Sequence, residues 1–424
     1  MTRQQFHTKV YLYLSCLIAF FLPVYINIAP FLIGLLSLNW MMEGKFKEKI
    51  FMIKENKMSW LFIGFYFLFI LGMLWTDNQP EGWFDLQVKF SFFLFPLIFS
   101  SINFYSSGNL KKILLSFVLG CMAGTLYCFL NALFMWYYSG ENYFFYMKLS
   151  PVLHPSYLSM YITFSLATMG YHMIKKETMF GNILIDLLLS VWFWFCIQML
   201  QSKAGILIGS STLFLLLCTY SFRSKKILLC AGLAILYGGI FWGVSKFVIT
   251  TSNSRILNAE NNIISEQKID KHSSESSQVR ILIWQASYEV IKQNLLLGVG
   301  TGDVKDDLMK EYQKEKMNGA YVHRLNAHNQ YIQTTVALGL IGFVAIILNF
   351  IIPFINSIRK NKFLLTLFLI IVGLNLLVES MFEVESGVMF YAFFNSLLLF
   401  SDTVPSKMSK EKKYDPLLPS QDHR

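Results

Sequence analysis

Charged residues are scarce in this sequence: Asp, Glu, Lys and Arg make up only 15% of the 424 residues, against about 25% in an average soluble protein. Hydrophobic residues account for 54% and aromatic residues for 17%. They occur in long runs that carry almost no charge. This composition disfavours a soluble enzyme, a secreted disulfide scaffold and a nucleic-acid-binding module. It predicts an all-α polytopic membrane protein whose solvent is the lipid bilayer.

Cysteine is also scarce, and no two cysteines form a Cys-x-x-Cys pair. His323 and His328 are five residues apart, so they would not lie on the same face of a helix and are unsuited to bind a shared metal ion. We therefore expect neither a metal site nor a cofactor. The first apolar run contains Pro23 and lacks an obvious small-residue cleavage site, so we expect no cleavable signal peptide. We expect the cysteines to be small buried hydrophobes; they are Cys16, Cys121, Cys128, Cys196, Cys218 and Cys230.

Twelve apolar runs, most of about 15 to 25 residues, are candidates for transmembrane helices. We predict one integral membrane domain over residues 1–424, with a large helical loop at 249–327 between helices 9 and 10 and a basic tail at 402–424. The first two spans are short and joined tightly around Asn27. The predicted spans are 10–24, 28–40, 60–74, 86–102, 113–136, 156–174, 182–200, 204–220, 227–248, 330–351, 363–378 and 388–400.

The basic residues of the short loops predict the orientation. With the N-terminus inside, the segments on the cytoplasmic side hold 22 Lys and Arg, whereas the short outer loops hold two, Lys148 and Lys203. This asymmetry is the positive-inside pattern. It places both termini in the cytoplasm and the loop 249–327 outside. It also explains the net charge of +10 without a nucleic-acid partner.

The outer loop 249–327 has the pattern of a lid over the outer face of the bundle. Its first part is polar, 279–294 has helical spacing, and the sequence GVGTG at 298–302 predicts a sharp turn. Asp303 is placed to cap a polar helix running to Met317. A dinucleotide-binding loop is not predicted, because no strand precedes these glycines.

Ionisable and polar residues at the outer ends of spans are functional candidates, because a charge at the lipid boundary needs a cavity or a partner. A structural alternative stays open for each of them. Lys203 could be a topological anchor, Arg280 a solvated surface residue, and His328 a hydrogen-bonding residue rather than a proton acceptor. The candidates are His328, Arg280, Lys203, Asn329, His154, Glu379 and Glu383.

Three segments together resemble the O-antigen ligase and polymerase family of bacterial membrane glycosyltransferases. RILIWQASYEVIKQNLLLGVGTGD, from residue 280, is similar to the family's Arg-x-x-x-Trp segment followed by an Asn-Pro-Leu-x-Gly-x-Gly turn. AHNQYIQTTVALGLIGF, from residue 327, is similar to its His-Asn signature, and SKAG at 202–205 to its Ser-Arg motif. Lys203 stands where the family usually has Arg, and Leu295 where Pro is common.

The resemblance implies a fold of the C-type glycosyltransferase kind and an inverting, metal-independent transfer. A glycan would pass from undecaprenyl diphosphate to a glycolipid or glycan acceptor hydroxyl at the outer face of the inner membrane. His328 and Arg280 would be catalytic, as general base and as a cation for the leaving diphosphate. Lys203 would be a second such cation and a substrate-binding residue. Asn329, His154, Glu379 and Glu383 complete the predicted substrate-binding set.

Two alternatives remain. A repeat-unit polymerase of the same family would share these motifs. A lipid-linked sugar transporter or flippase would be expected to show internal repeats and charges at the membrane midplane, whereas the candidates here gather at one face. The sequence therefore favours an enzyme over a transporter and leaves ligase and polymerase unseparated.

The orientation is testable by cysteine labelling. Ser274→Cys should react with a membrane-impermeant reagent on intact spheroplasts, and Ser406→Cys should be protected until the membrane is opened, because the basic loops hold the termini inside. Each variant is compared with the parent chain to subtract the native cysteines. The reverse pattern would invert the topology and remove the candidate site from the outer face.

Overall fold

A computed structural model describes residues 1–102, 107–225 and 277–401, together with residues 232, 235, 238 and 239. The predicted ninth span, 227–248, the loop residues 249–276 and the tail 402–424 lie outside the continuous described ranges. Every regular element in the described ranges is a helix, since backbone polar groups in lipid must be satisfied within the segment.

Seventeen α-helices are numbered here in chain order over the described residues. Short 3-10 turns at Ile26–Ile28, Met73–Trp75 and Met381–Glu383 join some of them. The helices are α1 Arg3–Val24, α2 Ala29–Glu43, α3 Phe46–Glu55, α4 Lys57–Gly72, α5 Gln79–Lys89, α6 Ser91–Phe99, α7 Ser107–Ser139, α8 Tyr146–Leu149, α9 Pro155–Ile174, α10 Ile183–Met199, α11 Lys203–Ser224, α12 Ser277–Gln293, α13 Val304–Lys314, α14 Asn318–Val322, α15 Gln330–Arg359, α16 Phe363–Leu376 and α17 Glu385–Phe400.

The polytopic all-α class is confirmed. Within the described residues, seven segments are long and apolar enough to cross a membrane: Arg3–Val24, Ile26–Glu43, Lys57–Trp75, Gln79–Phe99, Gly108–Ser139, Lys203–Ser224 and Gln330–Arg359. Helices α10, α16 and α17 are apolar but shorter. The total of twelve spans stays a prediction.

The last helix of the described residues, α17, forms the centre of the bundle. It is buried from Gly387 to Phe400, and its aromatic side chains interlock with those of the surrounding helices. Phe390 stacks on Tyr161 of α9 with ring centroids 4.4 Å apart, and Phe394 meets Phe117 of α7 edge-on at 4.7 Å. Such contacts between side chains supply the packing energy where lipid offers no hydrophobic drive.

The predicted span 86–102 is divided into α5 and α6, which meet at Phe90. Lys89 ends α5 with a fully buried side chain. Its ammonium lies 2.5 Å from the Asp85 carboxylate and 3.2 Å from that of Glu383. A buried cation requires such partners, and the apolar run 86–102 alone does not predict them.

The predicted lid helix 279–294 is present as α12, and the GVGTG turn follows it. The turn packs on α15 at a non-helical residue, Gly339, with φ +60°. The N–H groups of Val299 and Gly300 donate to the carbonyls of Val336 and Ala337 at 2.9 and 3.0 Å. The glycines thus do more than allow a sharp turn: they permit direct contact between two backbones.

Asp303 lies at the start of α13 but does not cap it with its side chain, contrary to the expectation. Its carboxylate instead accepts hydrogen bonds from the N–H groups of Asp77 at 2.8 Å and Asn78 at 2.7 Å. Lys305 also pairs with Glu81 of α5. The competing long-range contacts fasten the lid to the connection between α4 and α5, and α13 ends at Lys314 rather than Met317.

Gly298→Ala should loosen this attachment. Gly298 has φ +71°, and an added Cβ would lie 2.4 Å from the backbone of Ala337. We expect the free energy of unfolding to fall by about 1 kcal/mol or more, because residue 298 must leave the left-handed region or push α15 away. Thermal unfolding of the detergent-solubilised protein measures it. Gly64→Ala is the control, since no atom lies within 4 Å of its Cβ position; equal melting temperatures for both variants would contradict the prediction.

Candidate functional site

The turn that carries His328 is held from three sides. Trp284 of α12 donates its indole N–H to the carbonyl of Ala327 at 2.9 Å, and the side-chain oxygen of Gln333 accepts the Ala327 N–H at 3.0 Å. The Asn326 side chain accepts the N–H of His328 itself at 3.0 Å. His328 adopts φ +47°, a conformation that costs a non-glycine residue free energy and persists only when its surroundings fix it.

Asn329 connects this turn to the segment that precedes α17. Its side-chain oxygen accepts the N–H of Ile332 at 3.1 Å and so caps α15. Its own N–H donates to the Ser380 hydroxyl at 3.2 Å. Asn329 is buried, and its side-chain oxygen is engaged in positioning the helix.

Glu379 is the centre of the cluster. Its Oε1 accepts hydrogen bonds from Arg280 Nη2 and from the Ser156 hydroxyl, each at 3.2 Å. Its Oε2 lies 3.6 Å from His328 Nδ1, which is close for an ion pair but too long for a hydrogen bond. Arg280 also donates through Nη1 to the Val378 carbonyl at 2.9 Å. Lid, turn and bundle therefore meet at one carboxylate.

The electrostatics keep this carboxylate charged. Burial acts to raise the pKa of Glu379, but the adjoining His328 and the positive charge of Arg280 outweigh it and hold the pKa below its ordinary value. A lowered pKa means that Glu379 stabilises the folded state at neutral pH and that this contribution is lost as the pH falls through the lowered pKa. At neutral pH, Arg280 is thus paired with a charged Glu379, and His328 lies beside the same anion.

His154 and Lys203 lie at the same end of the bundle. His154 precedes α9, and its Nδ1 accepts the N–H of Ser156 at 3.3 Å, so it adjoins the serine that contacts Glu379. Lys203 is the first residue of α11 and is exposed. Gly205, two residues on, packs against the Ser159 side chain of α9. The N-terminus of α11, where the helix dipole favours anions, is therefore beside the start of α9.

Glu383 belongs to a second, largely buried network. Besides its ion pair with Lys89, its Oε1 accepts a hydrogen bond from the Gln330 amide at 2.9 Å. The Gln330 oxygen in turn accepts the N–H of Phe382 at 2.6 Å. Glu383 thus positions the start of α15, next to Asn329.

Several residues of these two networks were missed at the sequence level. Asp85 and Lys89 carried a signal, since opposite charges four residues apart at the edge of an apolar run need a buried partner. Ser156, Ser380 and Gln330 carried none, because isolated hydroxyls and amides are common at span ends. Glu379 was a candidate, but its role at the centre depends on contacts with residues 51, 99 and 223 positions away.

Comparison with known proteins agrees with the resemblance. Residues 188–347 match the sequence model of a family described as O-antigen ligase, and this range contains Lys203, Arg280, His328 and Asn329. The chain is also similar to an uncharacterized protein of Haemophilus influenzae, with 23% identity over 365 residues that cover 80% of this chain and 83% of that protein. The family resemblance is confirmed, and it implies a membrane enzyme of the glycosyltransferase kind.

Proposed function

We propose that this protein transfers a glycan from undecaprenyl diphosphate to a hydroxyl of a lipid A core or similar glycolipid acceptor, at the outer face of the bacterial inner membrane. The observation that carries the proposal is the cluster around Glu379. In this cluster, the Arg280 guanidinium and the His328 imidazole, the proposed proton acceptor, lie 3.2 and 3.6 Å from one carboxylate at the end of the bundle predicted to face outward. A donor anchored in the bilayer by its lipid reaches this end of the bundle from the side.

His328 acts as the general base. The acceptor oxygen attacks the anomeric carbon, its proton passes to His328 Nε2, and the bond from that carbon to the diphosphate oxygen breaks with inversion. Glu379 faces Nδ1 and therefore favours the tautomer with the proton on Nδ1 and the lone pair on Nε2. It also stabilises the imidazolium once the proton is taken. The 3.6 Å separation shortens as that charge develops.

Arg280 and Lys203 stabilise the leaving diphosphate, which departs with the electron pair of the broken bond. Arg280 is part-buried and already holds Glu379 and the Val378 carbonyl, so its guanidinium is oriented before the donor arrives. Lys203 adds a charge at the N-terminus of α11, where the helix dipole has the same sign. These side-chain charges allow the transfer to proceed without a metal ion.

A repeat-unit polymerase is the second candidate, because it needs the same donor chemistry and differs only in its acceptor. The glycolipids of a deletion strain separate the two. A ligase deletion leaves long glycans on the lipid carrier and an unmodified acceptor, whereas a polymerase deletion leaves single repeat units on the acceptor. A lipid-linked sugar flippase is less well supported, since the polar cluster lies at one end of the bundle.

His328→Ala should insert and fold normally, bind the donor and lose transfer by about 10² to 10⁴-fold, the usual contribution of a general base. Arg280→Ala should weaken donor binding as well, because its charge meets the diphosphate in ground state and transition state alike. The measurement uses purified protein in nanodiscs with the lipid-diphosphate-linked glycan extracted from the producing bacterium.

His323→Ala is the matched control for His328, because His323 is exposed and lies only five residues earlier. It should transfer at the parental rate. Near-normal turnover by His328→Ala would contradict the general-base mechanism. So would a wild-type rate that chelators abolish and that Mg²⁺ or Mn²⁺ restores.

Lys203 gives an independent test of the diphosphate site. Lys203→Ala should abolish transfer, whereas Lys203→Arg should retain or improve it, because Arg keeps the charge and adds a bidentate donor. Rates are corrected for the amount of protein in the membrane. If Lys203 only anchors topology, Lys203→Ala keeps its activity, and the assignment of Lys203 to the donor site is wrong.

A further inference from the structure

A cavity lies away from the Glu379 cluster, between the connection from α4 to α5 and the lid helices α13 and α14. Its volume is about 920 Å³, at the upper end of the range for small-molecule sites. Trp75 and Tyr321 line it together with polar side chains of the lid, among them Gln313 and Arg324. Neither His328 nor Arg280 reaches it.

The walls of this cleft are held in place by polar contacts. Asp303 binds the N–H groups of Asp77 and Asn78, and the Asn78 amide donates to Asp306 at 2.7 Å. Arg324 lies 3.9 Å from the other oxygen of Asp306. The connection between α4 and α5 and the lid are therefore joined directly by hydrogen bonds within the lining of the cleft.

Other polar groups of the lining make no hydrogen bond to the part of the chain that the structure describes. These are the indole N–H of Trp75, the hydroxyl of Tyr321, the side-chain amide of Gln313 and the carboxylate of Asp77. Trp75 is 36% and Tyr321 42% exposed, so their rings are accessible. The cleft thus offers two aromatic faces with donors and acceptors around them.

The charges of the lining restrict the ligand. Among the described residues that line the cleft, four are aspartates (Asp77, Asp303, Asp306 and Asp307) and two are cations (Lys310 and Arg324). This excess of negative charge disfavours phosphate and other anions, so the cleft does not suit the diphosphate of the donor. A sugar fits both the aromatic rings and the acidic, polar lining. The C–H face of a pyranose packs on an aromatic ring, and its hydroxyls pair with carboxylates, amides and the indole N–H.

We propose that this cleft is a glycan-binding subsite, which holds neutral or amino-bearing sugar residues of a substrate at a distance from the reacting bond. The inference rests on the proposed function. Arg280 lies near the start of α12, and Asn294, which lines the cleft, follows its end. Fourteen residues of helix separate them by about 21 Å, a distance that several linked sugars span. Binding energy from such remote residues positions the reacting end.

The test is saturation-transfer difference NMR on the full-length protein in nanodiscs with two soluble probes. One is the oligosaccharide released by mild acid from the lipid-linked glycans of the producing bacterium; the other is the delipidated core oligosaccharide of its glycolipid. The wild-type protein should bind at least one of them, and the identity of that probe tells whether donor or acceptor occupies the cleft.

Trp75→Ala and Tyr321→Ala should weaken that binding by about tenfold or more, and Gln313→Ala by less, while Trp75→Phe keeps the aromatic face and most of the affinity. Trp136→Ala, at a comparably exposed tryptophan of α7, is the control and should bind as the wild type does. Gln313 is an exposed helix residue, so its variant keeps the test valid if an aromatic variant fails to fold.

The two proposals fail separately. His328→Ala should lose transfer and keep oligosaccharide binding, because the cleft is remote from the turn. If the wild type transfers glycan but binds neither probe, or if the cleft variants bind as tightly as Trp136→Ala, the subsite is disproved and the proposed function stands. If the probes bind at the cleft but no glycan is transferred to a glycolipid acceptor or to a repeat unit, the subsite is supported and the transferase is disproved.

Discussion

The arrangement depends on one part-buried carboxylate, that of Glu379. It joins Arg280 of the lid, Ser156 at the start of α9 and the turn that carries His328. In a setting with little water, an unpaired carboxylate would be costly. Its need for partners therefore determines where three separate parts of the chain come together, and it sets the charge beside each proposed catalytic group.

The surrounding structure keeps that meeting point rigid. α17 fills the centre of the bundle with aromatic side chains, and the segment containing Glu379 leads directly into it. Next to the turn lies a largely buried polar network of Lys89, Asp85, Glu383 and Gln330. The network costs desolvation energy, and its benefit is specificity, since few other arrangements satisfy all of its groups. A proton acceptor must be held in this way to act at a defined distance.

The lid contributes through its attachment to the bundle. Asp303 binds the connection between α4 and α5, and Gly298 and Gly300 lie against the kink of α15. These contacts place Arg280 over the turn at one end of α12 and the polar cleft at the other. A reacting centre and a remote sugar subsite on one helix would allow the enzyme to use glycan binding for orientation.

Local sequence determined the membrane class, the lid helix α12, the sharp turn at 298–302 and most of the candidate residues, because hydrophobic runs, helical spacing and glycine act over a few residues. The family motifs led to Arg280, His328 and Lys203 for the same reason, as each motif is contiguous. Only the tertiary structure decided which of these residues meet. It made Glu379 the common partner, turned Glu383 toward Lys89, gave Asp303 a long-range contact in place of a helix cap, and divided 86–102 at Phe90. The first three of these outcomes follow from the pairing of polar groups that lie tens to hundreds of residues apart, and such pairing leaves no periodic trace in the sequence.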